Sequence, residues 1–258
     1  MIDPGPGFSE DAFLGGKLLL RQPRSGHRAG HDAMLLAAAA AARPGDRVAD
    51  LGAGVGSAGL ALATRVSGLA LILVEIDPVL AAMARENAAA NALSAAVLVL
   101  DVTASAEAFA AAGLASDSVD VVLMNPPFND AARHRASPDA ARAGAHIAAA
   151  TTLESWVHAA RRILKSGGTL TLIWRADGIG DVFAALSRGF GSLAILPVHG
   201  ETGKPAIRIL VQAVKGGRGP TRILPGVMLN DAPGIPNREI AAVLAGQGVL
   251  ALTGSSNG

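Results

Sequence analysis

Two short stretches carry residue types and spacings that could do chemistry. Asn125-Pro126-Pro127-Phe128 follows the apolar run Val119–Met124, and Asp50-Leu51-Gly52-Ala53-Gly54-Val55-Gly56 lies upstream of it. An exocyclic amino group on an aromatic base is a poor nucleophile, because its lone pair is delocalised into the ring. Acceptors that hold its two N–H bonds can turn that pair toward an electrophile, and no strong base is needed. The side-chain oxygen of Asn125 and the backbone carbonyl of Pro126 are two such acceptors, and the proline pair stiffens the turn before a substrate arrives. Phe128 can stack on a ring face, as expected for a base taken out of its stack. Orientation beside an already activated donor would supply most of the acceleration. The alternative reading is a proline-stiffened loop that merely ends a strand.

The glycines of the upstream stretch, Gly52, Gly54 and Gly56, allow backbone N–H groups to approach a ligand with no Cβ in the way. Glu75 ends the next apolar run about twenty residues on, where a carboxylate can accept from ribose hydroxyls. Asp101 ends the third run on the same rim and could accept from the amino group of an adenine. Gly54-x-Gly56-x-x-Gly59 also fits the dinucleotide fingerprint, so this loop alone does not separate NAD from S-adenosylmethionine. Asp50 at the strand end suits a zwitterionic amino-acid moiety better than a pyrophosphate. The Asn-Pro-Pro-Phe turn has no place in a dehydrogenase. Methyl transfer to an amine is the chemistry the two stretches share.

These residues need elements to position them. Apolar runs read as strands at Arg47–Leu51, Leu69–Glu75, Ala96–Leu100, Val119–Met124 and Thr169–Trp174. Helical segments at Ser57–Val66, Asp77–Asn91, Ala104–Ala112, Leu153–Leu164 and Ile179–Arg188 alternate with them. Continuous apolar strands between helices imply an α/β fold: a Rossmann-like, seven-stranded, mostly parallel sheet covered on both faces. Leu193–Val198 and Ile207–Val214 predict a final antiparallel pair. Residues 1–15 read as a loose lead-in, residues 15–30 as irregular or hairpin-like, and His31–Ala42 as a helix with Asp32 near its start. The expected organisation is a substrate-facing segment and helix at 1–45, a catalytic domain at 46–215, and a partly irregular extension at 216–258 with a short helix near Asn237–Ala245.

Composition excludes several classes. The chain has 258 residues, 50% of them hydrophobic, a net charge of +1 and no cysteine. Disulfides, thiolate metal sites and cysteine nucleophiles are therefore absent. No global field announces nucleic acid, so phosphate contacts would need local clusters. Arg21, Arg24 and Arg28, with Arg133 and Arg135 just after the proline turn, are the favoured group. Lys204, Arg208, Lys215, Arg218 and Arg222 form another, and ordinary solvated charge is the alternative for each. His27 and His31 are four apart, but Gly26 and Gly30 argue against the helix a metal pair would use, and no metal is expected. Trp156 and Trp174 read as core. No targeting segment or membrane span is apparent, which leads to the expectation of a soluble cytoplasmic protein.

At this point the chain resembles the class I S-adenosylmethionine-dependent methyltransferases that carry an Asn-Pro-Pro-aromatic motif. More narrowly it is similar to the bacterial tRNA(Val) adenine N6-methyltransferase family. Gln22-Pro23, Gly26-His27-Arg28-Ala29-Gly30-His31-Asp32-Ala33, the Asp50–Gly56 loop, Glu75-Ile76-Asp77-Pro78, Asn125–Phe128, and Lys215-Gly216 with Arg218 carry the likeness. The resemblance implies that Asp50, Gly52, Gly54, Glu75 and Asp101 contact S-adenosylmethionine and that Asn125 to Phe128 contact the target base of an RNA. The rRNA guanine N2- and protein glutamine N5-methyltransferases share the loop and the proline turn. A non-catalytic module that binds RNA or cofactor is the alternative from another class.

Overall fold

The computed structural model describes residues 7–24, 28–127, 138–232 and 235–252, with the side chains of 138–148 outside the description. A hairpin of β1 (Phe8–Phe13) and β2 (Leu18–Pro23) opens the chain and is followed by α1 (His31–Ala39). Then come β3 (Arg47–Leu51), α2 (Ser57–Arg65), β4 (Ala70–Glu75), α3 (Pro78–Ala90), β5 (Ala95–Val99), α4 (Ala106–Ala111) and β6 (Val119–Met124). After the proline turn the chain runs through α5 (Pro138–Ile163), β7 (Leu164–Arg175), α6 (Ile179–Leu186), β8 (Phe190–Glu201) and β9 (Ala206–Lys215). The last part adds β10 (Arg222–Ile223), β11 (Val227–Ala232), β12 (Ile235–Pro236) and α7 (Arg238–Leu244).

Strand order across the large sheet is β12-β11-β8-β9-β7-β6-β3-β4-β5, with β10 also against β8. β5, β4, β3, β6 and β7 run parallel, and β9 is antiparallel to both β7 and β8. The α/β class is as expected, but the sheet has ten strands, not seven. The surplus comes from the segment after Gly216. β10 and β11 run parallel to β8 and cover its free edge, and β12 pairs back on β11. An open edge strand presents unpaired N–H and C=O groups, and these short pieces satisfy them.

The lead-in expected over residues 1–15 is instead strand from Phe8 onward. Helix α5 passes directly into β7, with Ser166-Gly167-Gly168 inside the range of the strand. Pairing of β6 with β7 jumps from Val119↔Leu164 to Val121↔Thr169, and the intervening residues loop outward with Gly167 at φ +78°.

Side chains alternate across each strand and divide the core in two. α1, α2, α3 and α7 pack on one face with Val48, Val121 and Leu123, and α4, α5 and α6 on the other with Ala49, Val122 and Met124. The same two-residue alternation puts Asp50, after Val48, and Asn125, after Leu123, on the α1 side. α3 starts where expected because Asp77 accepts from the N–H groups of Val79 (2.8 Å) and Leu80 (3.4 Å), with Pro78 in the first turn. Beyond α7 the chain straps across α1: the Leu250 N–H donates to the Ala38 carbonyl (2.9 Å), and Arg65 of α2 donates to the Gly248 carbonyl. Leu250 and Leu252 are buried in the α1-side core.

Candidate active site

Three strand ends frame the site. β3 runs into the glycine loop, β4 ends in Glu75, and β6 ends in the proline turn. A cleft of about 290 Å³ opens here, lined by Gly52 to Val55, Asp50 and Asn125 on the sheet side and by Arg28 to Ala33 opposite. Ligand sites at the carboxyl ends of parallel strands are what this topology favours.

The glycine loop is shaped by backbone bonds. The N–H groups of Gly52 and Ala53 donate to the Val74 carbonyl (2.8 and 2.9 Å), folding the loop back over β4. Gly52, at φ +71°, has no room for a side chain, because a Cβ would run into the indole of Trp156 on α5. Gly56, at φ +89°, sits at the start of α2 in the left-handed region. Gly54 differs. It has φ +57° and open space where a Cβ would stand, so its backbone is bare to the cleft.

Two carboxylates hold this loop. Glu75, 7% exposed, accepts from the Gly54 N–H through Oε2 (2.8 Å) and from the Asp77 N–H through Oε1 (2.9 Å). Asp50, 2% exposed, accepts from the Gly59 N–H in the first turn of α2 (2.8 Å). That approach needs Gly59, where a Cβ would stand 3.1 Å from the Asp50 oxygen and 2.5 Å from Leu73. Burial pushes the Asp50 carboxyl up to about 7. The Gly59 hydrogen bond opposes that rise and the nearby Glu75 charge adds to it. A cationic group in the cleft would therefore find a partner whose charge the protein alone does not stabilise.

At the end of β6, Asn125 lines the cleft and its Oδ1 is buried with no hydrogen-bond partner among the described residues. A buried acceptor left unpaired costs on the order of 1–3 kcal/mol. Pro126 is buried and Pro127 exposed, while Phe128, Arg133, Arg135 and His27 lie outside the described residues.

The opposite wall hangs on side-chain bonds. Asp11 of β1 accepts from Gln22 Nε2 (2.7 Å), Ser9 Oγ (2.8 Å) and Arg28 Nη2 (2.7 Å). These bonds, that of Gln22 foremost, hold its carboxyl below the usual range. Gln22 Oε1 in turn accepts from the Ala29 N–H (2.7 Å), which fixes the chain just before α1. Asp32 does not cap α1. The residue before the helix, Gly30, makes no side-chain cap, and Asp32 pairs with Arg208 of β9 at 2.9 Å.

The expected site residues are thus unevenly gathered. Asp50, Gly52, Gly54, Asn125 and Arg28 share the cleft lining. Glu75 and Gly56 shape the loop from behind. Asp101 accepts from the Thr103 N–H and hydroxyl (both 2.8 Å) and is not among the residues lining this cleft. Arg21 is bound to Glu86 of α3 (3.1 Å) and lies over the Phe8 ring, and Arg24 is exposed. Of the late basic residues, Lys215 bonds Asp117 (2.7 Å) and Arg222 bonds the Leu252 carbonyl (3.0 Å), away from the cleft, whereas Arg208 reaches the cleft wall through Asp32. The supporting roles of Gln22 and Asp11, and the packing of Trp156 against Gly52, carry no local signal in the sequence. For Asn87 of α3 the signal is that Asn87 and Asn91 are two amides four apart in an alanine-rich helix.

Among the described residues no group of three or more His, Cys, Asp or Glu is placed to hold a metal ion. None of their helices is long and apolar enough to cross a membrane.

Comparison with known proteins agrees with the fold. A crystal structure of a predicted O-methyltransferase from Agrobacterium tumefaciens superposes with a TM-score of 0.71 at 32% identity, covering 85% of this chain and 98% of that one. The tRNA1(Val) (adenine(37)-N6)-methyltransferase of Porphyromonas gingivalis is 31% identical over 162 residues, 60% of this chain. That alignment spans 61% of the relative's own length. The enzyme of the same name from Dickeya chrysanthemi is 26% identical over 214 residues, 82% of each chain. The family model described as methyltransferase small domain matches residues 28–199, from the cleft wall through the three strand ends of the site into β8, and the chain belongs to that family.

Proposed function

We propose that the protein is an S-adenosylmethionine-dependent N-methyltransferase acting on an exocyclic amine of an RNA base, adenine N6 of a tRNA. The observation that carries this reading is the buried Oδ1 of Asn125, unpaired among the described residues, on the wall of the cleft that the glycine loop enters. An amide oxygen accepts hydrogen bonds but does not take up protons at neutral pH. It suits a nitrogen that must be oriented rather than a hydroxyl that must be deprotonated.

The residues present fit the cofactor. Gly54 leaves bare backbone in the cleft, and the acid at the end of β3 offers a carboxylate to an amino-acid ammonium. Asp50 would hold that ammonium, and the loop held by Glu75 would cradle the rest. S-adenosylmethionine supplies an activated sulfonium methyl. Asn125 Oδ1 and the Pro126 carbonyl would accept the two amine N–H bonds and turn the nitrogen lone pair toward that methyl. Phe128 would stack on the base, with Arg24, Arg28, Arg133 and Arg135 toward the RNA backbone.

In this reading residues 1–45 face the substrate, 46–215 form the methyltransferase domain, and 216–258 extend its sheet. The names of the Porphyromonas and Dickeya relatives support tRNA adenine as the acceptor, and a cytoplasmic location follows from that substrate. Labelled-methyl transfer from S-adenosylmethionine to total RNA and to total protein tests the reading, with mass spectrometry of the digested nucleosides. Label in N6-methyladenosine of tRNA is the expected result. Label only in protein, in 2-methylguanosine or on a ribose or other oxygen would overturn it.

A further inference from the structure

Asn87 of α3 is 2% exposed, lies in the middle of a helix, and was not needed for the site described above. A polar amide this deeply buried is costly unless each of its groups is paired. Three of its four hydrogen-bonding directions are filled, both N–H donors among them, and they point to two different parts of the molecule. Its Oδ1 accepts from the Arg21 N–H (2.8 Å) and its Nδ2 donates to the Arg21 carbonyl (3.0 Å), as a neighbouring strand would. The second Nδ2 hydrogen goes to the carbonyl of Val55 in the glycine loop (3.0 Å). Asn91, one turn later, holds the N–H and carbonyl of Leu19 in the same way (2.8 and 2.7 Å) but makes no bond to the loop. Docking the hairpin would need only pairs of the Asn91 kind. The bond to Val55 is additional, and it joins the two walls of one cleft.

The connection continues on the hairpin side. Arg21 is followed in β2 by Gln22, whose Oε1 holds the Ala29 N–H at 2.7 Å, and Ala29 and Arg28 line the cleft opposite Val55. A contiguous chain of hydrogen bonds and one backbone step therefore runs from the cofactor side of the cleft, beneath it, and up into the substrate side.

We propose that Asn87 is a positioning residue that couples occupancy of the glycine loop to the order of the hairpin and of the Arg28–Asp32 wall. A ligand that fixes Val55 would fix the Asn87 amide, and with it Arg21, Gln22 and Ala29. By reciprocity, a substrate that orders the wall would tighten the loop around the cofactor. This rests on the reading that the loop binds S-adenosylmethionine.

Hydrogen exchange read by mass spectrometry, with and without S-adenosylhomocysteine, tests it on the full chain. In the parent protein, saturation should slow exchange in peptides covering 50–60 and also in those covering 18–23 and 28–34, by about fivefold or more at the latter two. Asn87→Ala should keep the slowing at 50–60 and lose it at 18–23 and 28–34, whereas Asn91→Ala should keep it at 28–34. Protection confined to the loop in the parent protein, or hairpin protection that survives in Asn87→Ala, would overturn the coupling. If Asn87→Ala does not fold, Gln22→Met decides. It should retain slowing at 18–23 and lose it at 28–34, and retention at 28–34 overturns the proposal. A parent protein that shows no S-adenosylhomocysteine binding by calorimetry would instead overturn the cofactor reading, and the coupling with it.

Discussion

On the loop wall of the cleft, Asp50 and Glu75 place oxygens on the backbone N–H groups of Gly59, Gly54 and Asp77. At the tip of β6, Asn125 Oδ1 is buried with no partner among the described residues. Both regions are stiff, one through a loop folded back on β4 and the other through two consecutive prolines. The difference lies in what the polar atoms are for. Acceptors already bonded to backbone hold a shape, whereas an acceptor held rigid and unpaired holds a place for a ligand's donor.

The largest test of that contrast is Asn125→Ala. It should lower kcat for methyl transfer by about 10²–10³-fold, as for loss of one fixed transition-state partner. S-adenosylhomocysteine affinity by calorimetry should stay within about twofold of the parent on the same reasoning, since uniform binding is not what the amide supplies. A parallel loss of cofactor affinity would break the contrast.

Gly52→Ala attacks the other wall. The new methyl group would enter the Trp156 ring from a backbone held at φ +71°. Cofactor binding should fall by about tenfold or more and the melting temperature by several degrees, because overpacking and a left-handed non-glycine residue each carry a cost. Unchanged binding would show that the loop is not the seat of the cofactor.

A smaller effect should follow pH. The Asp50 carboxyl sits near 7 in the folded protein against 3.8 as the reference value. Between those values the folded state keeps a proton the unfolded state has released. Ligand-free stability should therefore decline as pH rises from about 4 to about 7 and level off above, and Asp50→Asn should flatten that slope. Cofactor affinity should run the other way. It should weaken as pH falls below about 7, by up to about tenfold per unit, if the ionised carboxylate meets an ammonium. Calorimetry across pH 5.5–8.5, in the parent and in Asp50→Asn, separates the two trends.

The smallest effect concerns the exposed Arg24. Arg24→Ala should leave S-adenosylhomocysteine binding intact and reduce the slope of log affinity for tRNA against log salt by about 1. An unchanged slope would remove this arginine from the RNA footprint.

Much of this contrast is legible in the sequence. Val119–Met124 has the bounds its apolar run suggested, because a parallel strand buried on both faces writes its own limits. The glycine loop and the proline turn were visible because their chemistry depends on residues adjacent in sequence. The hairpin was only half visible. Its edge is satisfied by Asn87 and Asn91, more than sixty positions away, and a local reading sees only Gly and Arg. β10 to β12 stayed hidden because they become strands only where β8 offers β10 and β11 an edge, and β11 then offers one to the two residues of β12. Trp156 read as core, and it is partly buried, but its contact with Gly52 is a meeting of β3 and α5 that no periodicity encodes. Asp101 illustrates the converse: its bonds to Thr103 are as local as any in the chain, yet nothing in the strand pattern pointed to them.

The strap at Gly248 to Leu252 bears on the order of biosynthesis. Helix α1, which brings His31 and Asp32 to the cleft, is closed on its outer side by residues translated some two hundred codons later. A nascent chain would carry that alanine-rich flank bare until residues 248–252 had emerged. Any truncation before Gly246 would leave it so permanently, a sticky apolar surface directly behind the reaction chamber.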